Sequence, residues 1–257
     1  MLRELKTRLR KLKEKASKAA KKSGGQKGIR KEGFMFVMAG KTNSGKSCLL
    51  GKLTNARPLV GAYEFTTRSP EIGTFSFEGV SAQVVDVPSI GSESFDVGLV
   101  NNADCLLIVV EKLEEIEEIE GKIMRAKGKR IVVVNKVDKL NNEEKKKLGA
   151  RLKSERIDGI IVSCVSGDGL DELRGKMFSK MGVIRIYMKE PGRGKQEKPM
   201  VLPSGSAVRD VGERIYKGFS KTVKEIRLTG PSSKFPNQRV GLSHVLKDND
   251  VVEFHTR

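Results

Sequence analysis

The sequence lacks several features that would mark particular classes of protein. Its 257 residues include no tryptophan, aromatic residues make up 5%, and cysteine occurs three times, at Cys48, Cys105 and Cys164. These isolated cysteines form neither a disulfide framework nor a metal-ligand pattern, which indicates a reducing, cytoplasmic compartment. No apolar run approaches the roughly 18 residues that a membrane-spanning helix needs, and the first residues carry no secretory signal. We therefore predict a cytoplasmic protein without a membrane span.

The chain has a large excess of positive charge that is distributed unevenly. Lys and Arg number 50 against 32 Asp and Glu, which gives a formal net charge of +18. Residues 1–32 contribute +10, residues 33–182 only +1, and residues 183–257 +7. Charge used for solubility alone would be spread over the surface. Two basic ends around a neutral centre instead predict that the ends contact a polyanion while the centre has another task.

Residues 1–32 form a basic arm in which Leu2, Leu5, Leu9 and Leu12 recur at helical spacing. This pattern predicts an amphipathic helix, and a Gly- and Lys-rich linker follows it. Such an arm can bind RNA, dock on a partner or on its own domain, lie on a membrane surface, or remain a solvated run of charge. The arm has no Trp or Phe anchor, which disfavours the membrane surface. We favour contact with the ribosome or another structured RNA.

Residues 33–182 alternate short apolar runs with longer helical patterns. Strands are predicted at 34–39, 82–85, 106–110, 131–134 and 160–162, with 75–77 as an antiparallel edge beside the second of them. Helices are predicted at 46–53, 113–126, 143–154 and 170–181. This alternation is typical of an α/β fold with a mostly parallel sheet and helices on both faces.

The pattern changes in residues 183–257. The spacing predicts strands at 183–188, 223–228 and 251–255, a helix at 208–219 and a Gly/Pro/Lys loop at 190–199. One helix among several short strands indicates a small α+β domain. The predicted organisation is therefore a basic arm and linker (1–32), an α/β domain (33–182) and an α+β domain (183–257).

The strongest local signal is Gly40-Lys-Thr-Asn-Ser-Gly-Lys-Ser47, which fits the P-loop pattern G-x-x-x-x-G-K-[ST] between a predicted strand and a predicted helix. Backbone N–H groups of such a loop converge on phosphate oxygens at the start of the helix. Lys46 is expected to reach the β- and γ-phosphates and act in catalysis, and the Ser47 hydroxyl is expected to bind Mg²⁺. The alternative is an ordinary Gly-rich turn. The nucleotide-binding residues predicted in this segment are Gly40, Asn43, Ser44, Gly45, Lys46, Ser47 and Cys48.

A second motif predicts which base is bound. Asn135-Lys136-Val-Asp138 ends a predicted strand about 90 residues after the P-loop, at the sheet edge where such folds bind ligands. The Asp138 carboxylate can accept hydrogen bonds from the guanine N1–H and amino group, whereas adenine presents an acceptor at the ring nitrogen. Asn135 and Lys136 complete the predicted base site. Backbone amides for the guanine carbonyl are predicted after the next strand, at Ser163, Cys164 and Val165.

Two further residues are candidates for the metal. Asp86 ends a predicted strand, and Thr67 lies on the loop after the first predicted helix. A lone Asp or Thr is more often a cap or turn residue, but their order and spacing relative to Lys46 favour a functional role. Thr67 would add a second hydroxyl to the metal, and act in catalysis, when the γ-phosphate is present. The residues predicted to hold Mg²⁺ are Ser47, Thr67 and, as an outer-shell partner, Asp86.

With these motifs, residues 33–182 resemble an Obg-type translation-factor GTPase domain, and in particular the developmentally regulated GTP-binding protein (DRG) family. The resemblance is carried by Tyr63-Glu-Phe-Thr-Thr67 and by residues 184–192 and 236–255, which resemble the family's TGS domain, a ubiquitin-like β-grasp fold. It implies a P-loop NTPase that binds GTP or GDP with Mg²⁺. It also implies a role in or near translation, RNA or ribosome binding by the TGS domain, and often a small partner protein. We expect a monomer.

The sequence departs from the family pattern in three places. Asn135 follows Asp86 by only 49 positions, so the domain that DRG proteins insert there is absent. The N-terminal helical region is shortened to the basic arm. The family's D-x-P-G motif is present as Asp86-Val-Pro-Ser89, followed by Ile90 where other GTPases carry a catalytic glutamine. A serine at this position puts switching in doubt, and the missing glutamine predicts slow intrinsic hydrolysis.

Asn43 is one candidate for a substitute catalytic group. It occupies the P-loop position at which potassium-activated GTPases carry an asparagine, which implies a K⁺ ligand; the alternative is an Asn that tolerates a turn. The leading hypothesis is a GTP-binding protein with slow hydrolysis attached to a ribosome or RNA. The competing hypothesis is a non-hydrolysing, guanine-nucleotide-responsive RNA-binding scaffold, motivated by Ser89 and Ile90.

Overall fold

The computed structural model describes residues 29–54 and 70–256, and these residues form two β-sheets with separate hydrophobic cores. Most of the basic arm and the candidate metal ligand Thr67 lie outside the described residues. No helix within the described ranges is long and apolar enough to cross a membrane.

The first sheet has six strands, which are β1 (Met35–Gly40), β2 (Glu71–Phe77), β3 (Val80–Asp86), β4 (Cys105–Val110), β5 (Lys129–Val134) and β6 (Gly159–Ile161). Their order across the sheet is β2-β3-β1-β4-β5-β6. Strand β2 pairs antiparallel with β3, and all other neighbours are parallel. This arrangement confirms the predicted mostly parallel sheet with an antiparallel edge.

Five α-helices within the described ranges accompany this sheet. They are α1 (Lys46–Leu53), α2 (Val97–Asn101), α3 (Glu115–Lys122), α4 (Asn142–Ser154) and α5 (Leu170–Met181). Every residue of β1 and β4 is buried, because helices cover both faces of the sheet. Phe36 and Leu107 point to the core that contains residues of α1 and α5, and Val37 and Leu106 point to the opposite face. Helix α3 is shorter than the predicted 113–126, and α2 was not predicted.

The second sheet has five strands, which are β7 (Val183–Lys189), β8 (Met200–Pro203), β9 (Val223–Thr229), β10 (Gln238–Arg239) and β11 (Asp250–Thr256). Their order across the sheet is β10-β9-β11-β7-β8. Its two central strands, β7 and β11, are parallel, and the outer pairs are antiparallel. A single helix, α6 (Val208–Ile215), contributes Val208 and Val211 to the core of this sheet. This is the predicted β-grasp domain.

Helix α6 ends four residues before the predicted boundary of 219. Tyr216 is already extended, and Gly218 has a φ of +88°, a left-handed conformation that a regular helix does not allow. Phe219 nevertheless packs on the core, where its ring makes an edge contact with Phe254. The apolar spacing that predicted a longer helix therefore reflects a turn that returns to the core.

Arg185, on the first strand of the second sheet, connects the two sheets through its buried side chain. The guanidinium donates to both carboxylate oxygens of Asp248, at 3.1 and 2.6 Å, and also to the carboxylate of Glu78. It lies 4.8 Å from the centre of the Phe178 ring on α5. Glu78 and Phe178 belong to the first domain, so a single side chain joins one sheet to the other.

The hairpin between β2 and β3 reaches the second domain through its two-residue turn. Glu78 and Gly79 have φ values of +46° and +84°, the left-handed pair that a tight hairpin requires. A Cβ atom on Gly79 would lie 2.8 Å from Cγ of Pro199, so the turn packs closely on the β7–β8 connection. The opposite end of the same hairpin is Asp86, at the candidate site.

Candidate nucleotide and metal site

The predicted site residues within the described ranges gather at one edge of the first sheet. Because β1, β3, β5 and β6 are parallel, their carboxyl ends lie side by side. Gly40, Asp86 and Val134 are the last residues of three of these strands. The P-loop, the 135–138 motif and the 163–165 segment all begin at this edge, where open α/β sheets bind ligands.

The P-loop backbone turns through two left-handed residues. Asn43 has a φ of +62° and Gly45 a φ of +90°. A Cβ atom at Gly45 would lie 2.1 Å from Nδ2 of Asn135, and one at Gly40 would lie 2.3 Å from the Val109 carbonyl oxygen. Gly40 and Gly45 must therefore be glycines, because neighbouring groups approach both positions closely. Helix α1 begins directly after Gly45.

The Lys46 ammonium lies inside the loop. Its Nζ donates to the carbonyl oxygens of Gly40 at 3.2 Å and Lys41 at 3.0 Å, and to Oγ of Ser89 at 3.2 Å. Burial lowers the pKa of Lys46 from its ordinary value, and the nearby Asp86 carboxylate partly opposes this shift. A buried cation whose acceptors are all uncharged oxygens is suited to exchange them for the oxygens of a phosphate.

Asp86 and Ser47 form the candidate metal site. Oγ of Ser47 donates to Oδ2 of Asp86 at 2.6 Å. Asp86 is fully buried, and its Oδ1 has no hydrogen-bond partner among the described residues. Burial raises the pKa of Asp86 to about 6, an effect that the Ser47 hydrogen bond and Lys46 reduce.

The oxygen atoms of Ser47 and Asp86 fit Mg²⁺ as ligands. An unpartnered buried carboxylate oxygen beside a hydroxyl offers the hard oxygen ligands that Mg²⁺ prefers. The described residues contain no group of three or more His, Cys, Asp or Glu that could hold a metal by themselves. A site with one carboxylate and one hydroxyl suits a cation that receives its remaining ligands from phosphate oxygens and water.

Asn135 joins the P-loop to the segment after β6. Its Nδ2 donates to the Ser44 carbonyl oxygen at 3.0 Å, and its Oδ1 accepts from the Cys164 backbone amide at 3.3 Å. Asn135 and Ser44 are both buried. Both ends of its carboxamide are therefore used to hold two loops together, which explains why an amide side chain suits this position.

Asp138 is exposed, and Ser163 orients it. Oγ of Ser163 donates to Oδ1 of Asp138 at 2.5 Å, and this bond lowers the pKa of the Asp138 carboxyl. Oγ of Ser163 also accepts from the backbone amides of Val165 at 3.2 Å and Ser166 at 3.1 Å. The hydroxyl thus connects the carboxylate predicted to bind the base to the loop predicted to supply backbone amides.

Two other predicted site residues make contacts that the sequence pattern does not indicate. Lys136, at a φ of +64°, forms an ion pair with Glu111, the residue directly after β4. Cys48 on α1 is half-buried and interacts with the thiol of Cys164, whose pKa is raised to about 12 chiefly by burial. Such a raised pKa makes Cys164 a poor nucleophile.

Acidic partners of the P-loop region are the residues that sequence analysis missed. Glu118 on α3 lies 2.6 Å from Nζ of Lys41, and Glu111 pairs with Lys136. The available signal was the position of Glu111 at the carboxyl end of a buried strand. No signal in the sequence identified Glu118, because it is one of several glutamates in an acidic helix.

Comparison with known proteins matches each of the two sheets to a known family. Residues 35–136 match the profile of the 50S ribosome-binding GTPase family, and residues 184–256 match that of the TGS domain. A GTP-binding protein of Methanocaldococcus jannaschii is 28% identical over 81% of this chain and 74% of its own length. Its alignment spans 290 positions, more than the 257 residues of this chain, so the relative carries segments that are missing here.

Other relatives support the same assignment. The developmentally-regulated GTP-binding protein 2 homolog of Dictyostelium discoideum is 23% identical over 84% of this chain and 81% of its own length. The tRNA modification GTPase MnmE of Thermotoga petrophila is 35% identical over 68% of this chain but only 41% of its own length. The crystal structure of a GTP binding protein from Pyrococcus horikoshii shares the fold, with a TM-score of 0.57, 14% identity and coverage of 87% of this chain and 100% of that one.

Proposed function

Because the chain belongs to the DRG-like GTP-binding proteins, which combine a ribosome-binding-type GTPase domain with a C-terminal TGS domain, we propose that it is a slow, Mg²⁺-dependent GTPase. We propose that it is attached to the ribosome or another structured RNA. The product of its reaction would be GDP and inorganic phosphate. The basic arm (1–32) and the TGS domain would make the attachment, in the cytoplasm and with the protein as a monomer. A small partner protein of the type known for the DRG family would accompany it.

The observation that best supports this proposal is the contact between Ser47 and Asp86 beside the P-loop. A buried carboxylate with an unpartnered oxygen is costly unless a cation compensates its charge. Mg²⁺ would compensate the charge of the Asp86 carboxylate if Ser47 and Asp86 hold the ion, directly or through water, when GTP is bound. The metal would then neutralise charge on the β- and γ-phosphates.

The remaining chemistry would come from the loop itself. A water molecule attacks the γ-phosphorus in line with the departing bridging oxygen. The bond between the γ-phosphorus and that oxygen breaks, which releases GDP and inorganic phosphate. Lys46 and the P-loop amides would stabilise the charge that develops on the transferring oxygens. Ile90 has no carboxamide to orient the attacking water, so turnover is expected to be no faster than the roughly 10⁻⁴ s⁻¹ of an unassisted small GTPase.

Single-turnover hydrolysis tests the proposal. We expect slow phosphate release that requires Mg²⁺, disappears in Lys46→Ala and is faster when ribosomes are added. Lys52→Ala, on the same helix, is the matched control and should hydrolyse GTP like the wild type. If no phosphate forms under any condition although GTP binds, the protein is instead a nucleotide-responsive RNA-binding scaffold, the second candidate, which Ser89 and Ile90 favour.

We also propose that K⁺ stimulates hydrolysis through Asn43. A monovalent cation beside the γ-phosphate would stand in for an arginine finger, and we expect turnover in KCl at least about tenfold above that in NaCl at equal ionic strength. Asn43→Gly separates this role from the turn: glycine accepts the φ of +62° but has no carboxamide. The variant should keep nucleotide binding and lose the difference between the salts. Equal wild-type rates in both salts would contradict the proposal.

The proposed attachment is mainly electrostatic. The net charge of +10 on residues 1–32 would displace counterions from RNA, so the logarithm of affinity should fall steeply and linearly with the logarithm of salt concentration. Co-sedimentation with ribosomes between about 50 and 200 mM salt measures the slope. Deleting residues 1–32 should weaken binding and flatten the slope. Binding that survives both high salt and the deletion would show that the arm does not mediate attachment.

A further inference from the structure

Ser89 lies where the resemblance predicts glycine, and its side chain is part of the P-loop hydrogen-bond network. Oγ of Ser89 accepts from Nζ of Lys46 at 3.2 Å, beside the Gly40 and Lys41 carbonyl oxygens that accept from the same ammonium. Lys46 is the group that the P-loop pattern places at the β- and γ-phosphates. A hydroxyl within hydrogen-bond distance of this ammonium therefore lies at the phosphate end of the candidate site.

The backbone accommodates the serine without strain. Ser89 is not among the residues with positive φ, whereas Gly91, two positions later, has a φ of +95°. The Ile90 amide donates to the Gly40 carbonyl oxygen at 3.2 Å, and the Ser92 amide donates to the Ser89 carbonyl oxygen at 3.0 Å. The first bond holds the segment after Asp86 against the P-loop, and the second closes a turn that begins at Ser89, so the Ser89 backbone is held beside the loop.

We propose that the Ser89 hydroxyl recognises the γ-phosphate and thereby distinguishes GTP from GDP, an inference that rests on the proposed function. A hydroxyl both accepts and donates, whereas an ammonium only donates. When phosphates draw Lys46 away, the Ser89 oxygen loses its donor and its proton is free to turn toward a γ-phosphate oxygen. A glycine at this position offers only its backbone N–H, so serine adds a second donor to the same end of the nucleotide.

The specificity follows from which phosphate each group reaches. Lys46 leaves Ser89 for the β-phosphate of GDP as well as for the phosphates of GTP, so the cost of breaking that bond is common to both nucleotides. The new bond from Ser89 forms with the γ-phosphate alone. A hydrogen bond to a charged acceptor changes affinity by about tenfold or more, and this gain applies to GTP only.

Equilibrium binding of GDP and of a non-hydrolysable GTP analogue, each measured with Mg²⁺, tests the inference. We expect Ser89→Ala to lower the ratio of analogue affinity to GDP affinity about tenfold, because loss of the bond to Lys46 affects both nucleotides equally. Ser89→Thr, which restores a hydroxyl, should recover most of this ratio. Ser92→Ala removes a hydroxyl from the same segment and is the matched control. Its ratio of analogue to GDP affinity should equal that of the wild type.

Each contrary result has a distinct meaning. If the wild type binds both nucleotides and Ser89→Ala keeps the wild-type ratio, the γ-phosphate role is overturned and the proposed function stands. An equal loss for GDP and the analogue also overturns it, because Ser89 would then act only through Lys46. If the wild type binds neither nucleotide, the proposed function and the inference fail together.

Discussion

Replacing Asp138 by Asn is expected to lower affinity for guanine nucleotides by at least about a hundredfold and to make xanthine nucleotides the better ligands. Asp138 is exposed but already oriented, because Ser163 donates to its Oδ1 at 2.5 Å. The carboxylate can accept from both N1–H and the amino group of guanine. An Asn amide would present a donor to that amino group, whereas xanthine carries a carbonyl oxygen there and accepts the bond.

Competition binding with GTP, ATP and xanthosine triphosphate measures this change. Asp171→Asn is the matched control, because its carboxylate is 97% exposed on α5 and, among the described residues, forms an ion pair with Arg174 alone. It should leave all three affinities unchanged. Wild-type GTP affinity in Asp138→Asn would disprove the assignment of the base site, irrespective of any effect on hydrolysis.

Replacing Arg185 by Ala is expected to lower the free energy of unfolding by about 2–4 kcal/mol. The side chain is 7% exposed and holds Asp248 and Glu78 together. Truncation leaves the partly buried Asp248 carboxylate without the cation that lowers its pKa, and it removes the contact with Phe178. The TGS domain would then be held to the GTPase domain by fewer contacts, and the two are expected to unfold in separate transitions.

Urea unfolding, followed by circular dichroism, measures the effect. Arg227→Ala is the control: this arginine lies on the TGS sheet, is 45% exposed and pairs with Glu225, so its loss should change stability by less than about 1 kcal/mol. Arg185→Lys should recover only part of the loss, because an ammonium cannot bind Asp248 through two nitrogens. Equal stability of the Arg185→Ala and Arg227→Ala variants would show that the contact does not join the domains.

Local sequence patterns were sufficient to predict the elements whose conformation depends mainly on their own residues. Helices α1 and α5 have the predicted bounds, because glycines with positive φ, Gly45 and Gly169, fix their first residues. Strands β1 and β4 were predicted because both faces are buried and the sequence is apolar throughout. The resemblance to DRG proteins with a TGS domain is likewise confirmed, since its motifs are contiguous stretches of sequence.

Elements that depend on a distant partner were missed. Strand β8 has four residues, the last of them Pro203, and exists because it pairs with β7. Strand β10 has two residues and pairs with β9. Helix α2 spans five residues, too few for a helical period to be visible, and begins at the cap provided by Asp96.

The family, the two folds and the residue types that a guanine nucleotide would need could all be predicted from the sequence, because each depends on short motifs with fixed spacing. The folded structure shows which of those residues are in contact: Ser47 pairs with Asp86, Asn135 connects Ser44 to Cys164, and Ser89 accepts from Lys46. It also revealed Arg185, whose partner Glu78 is 107 positions away. Spacing along the chain fixes local conformation, but contacts across a sheet edge or a domain boundary follow from packing, which no short pattern contains.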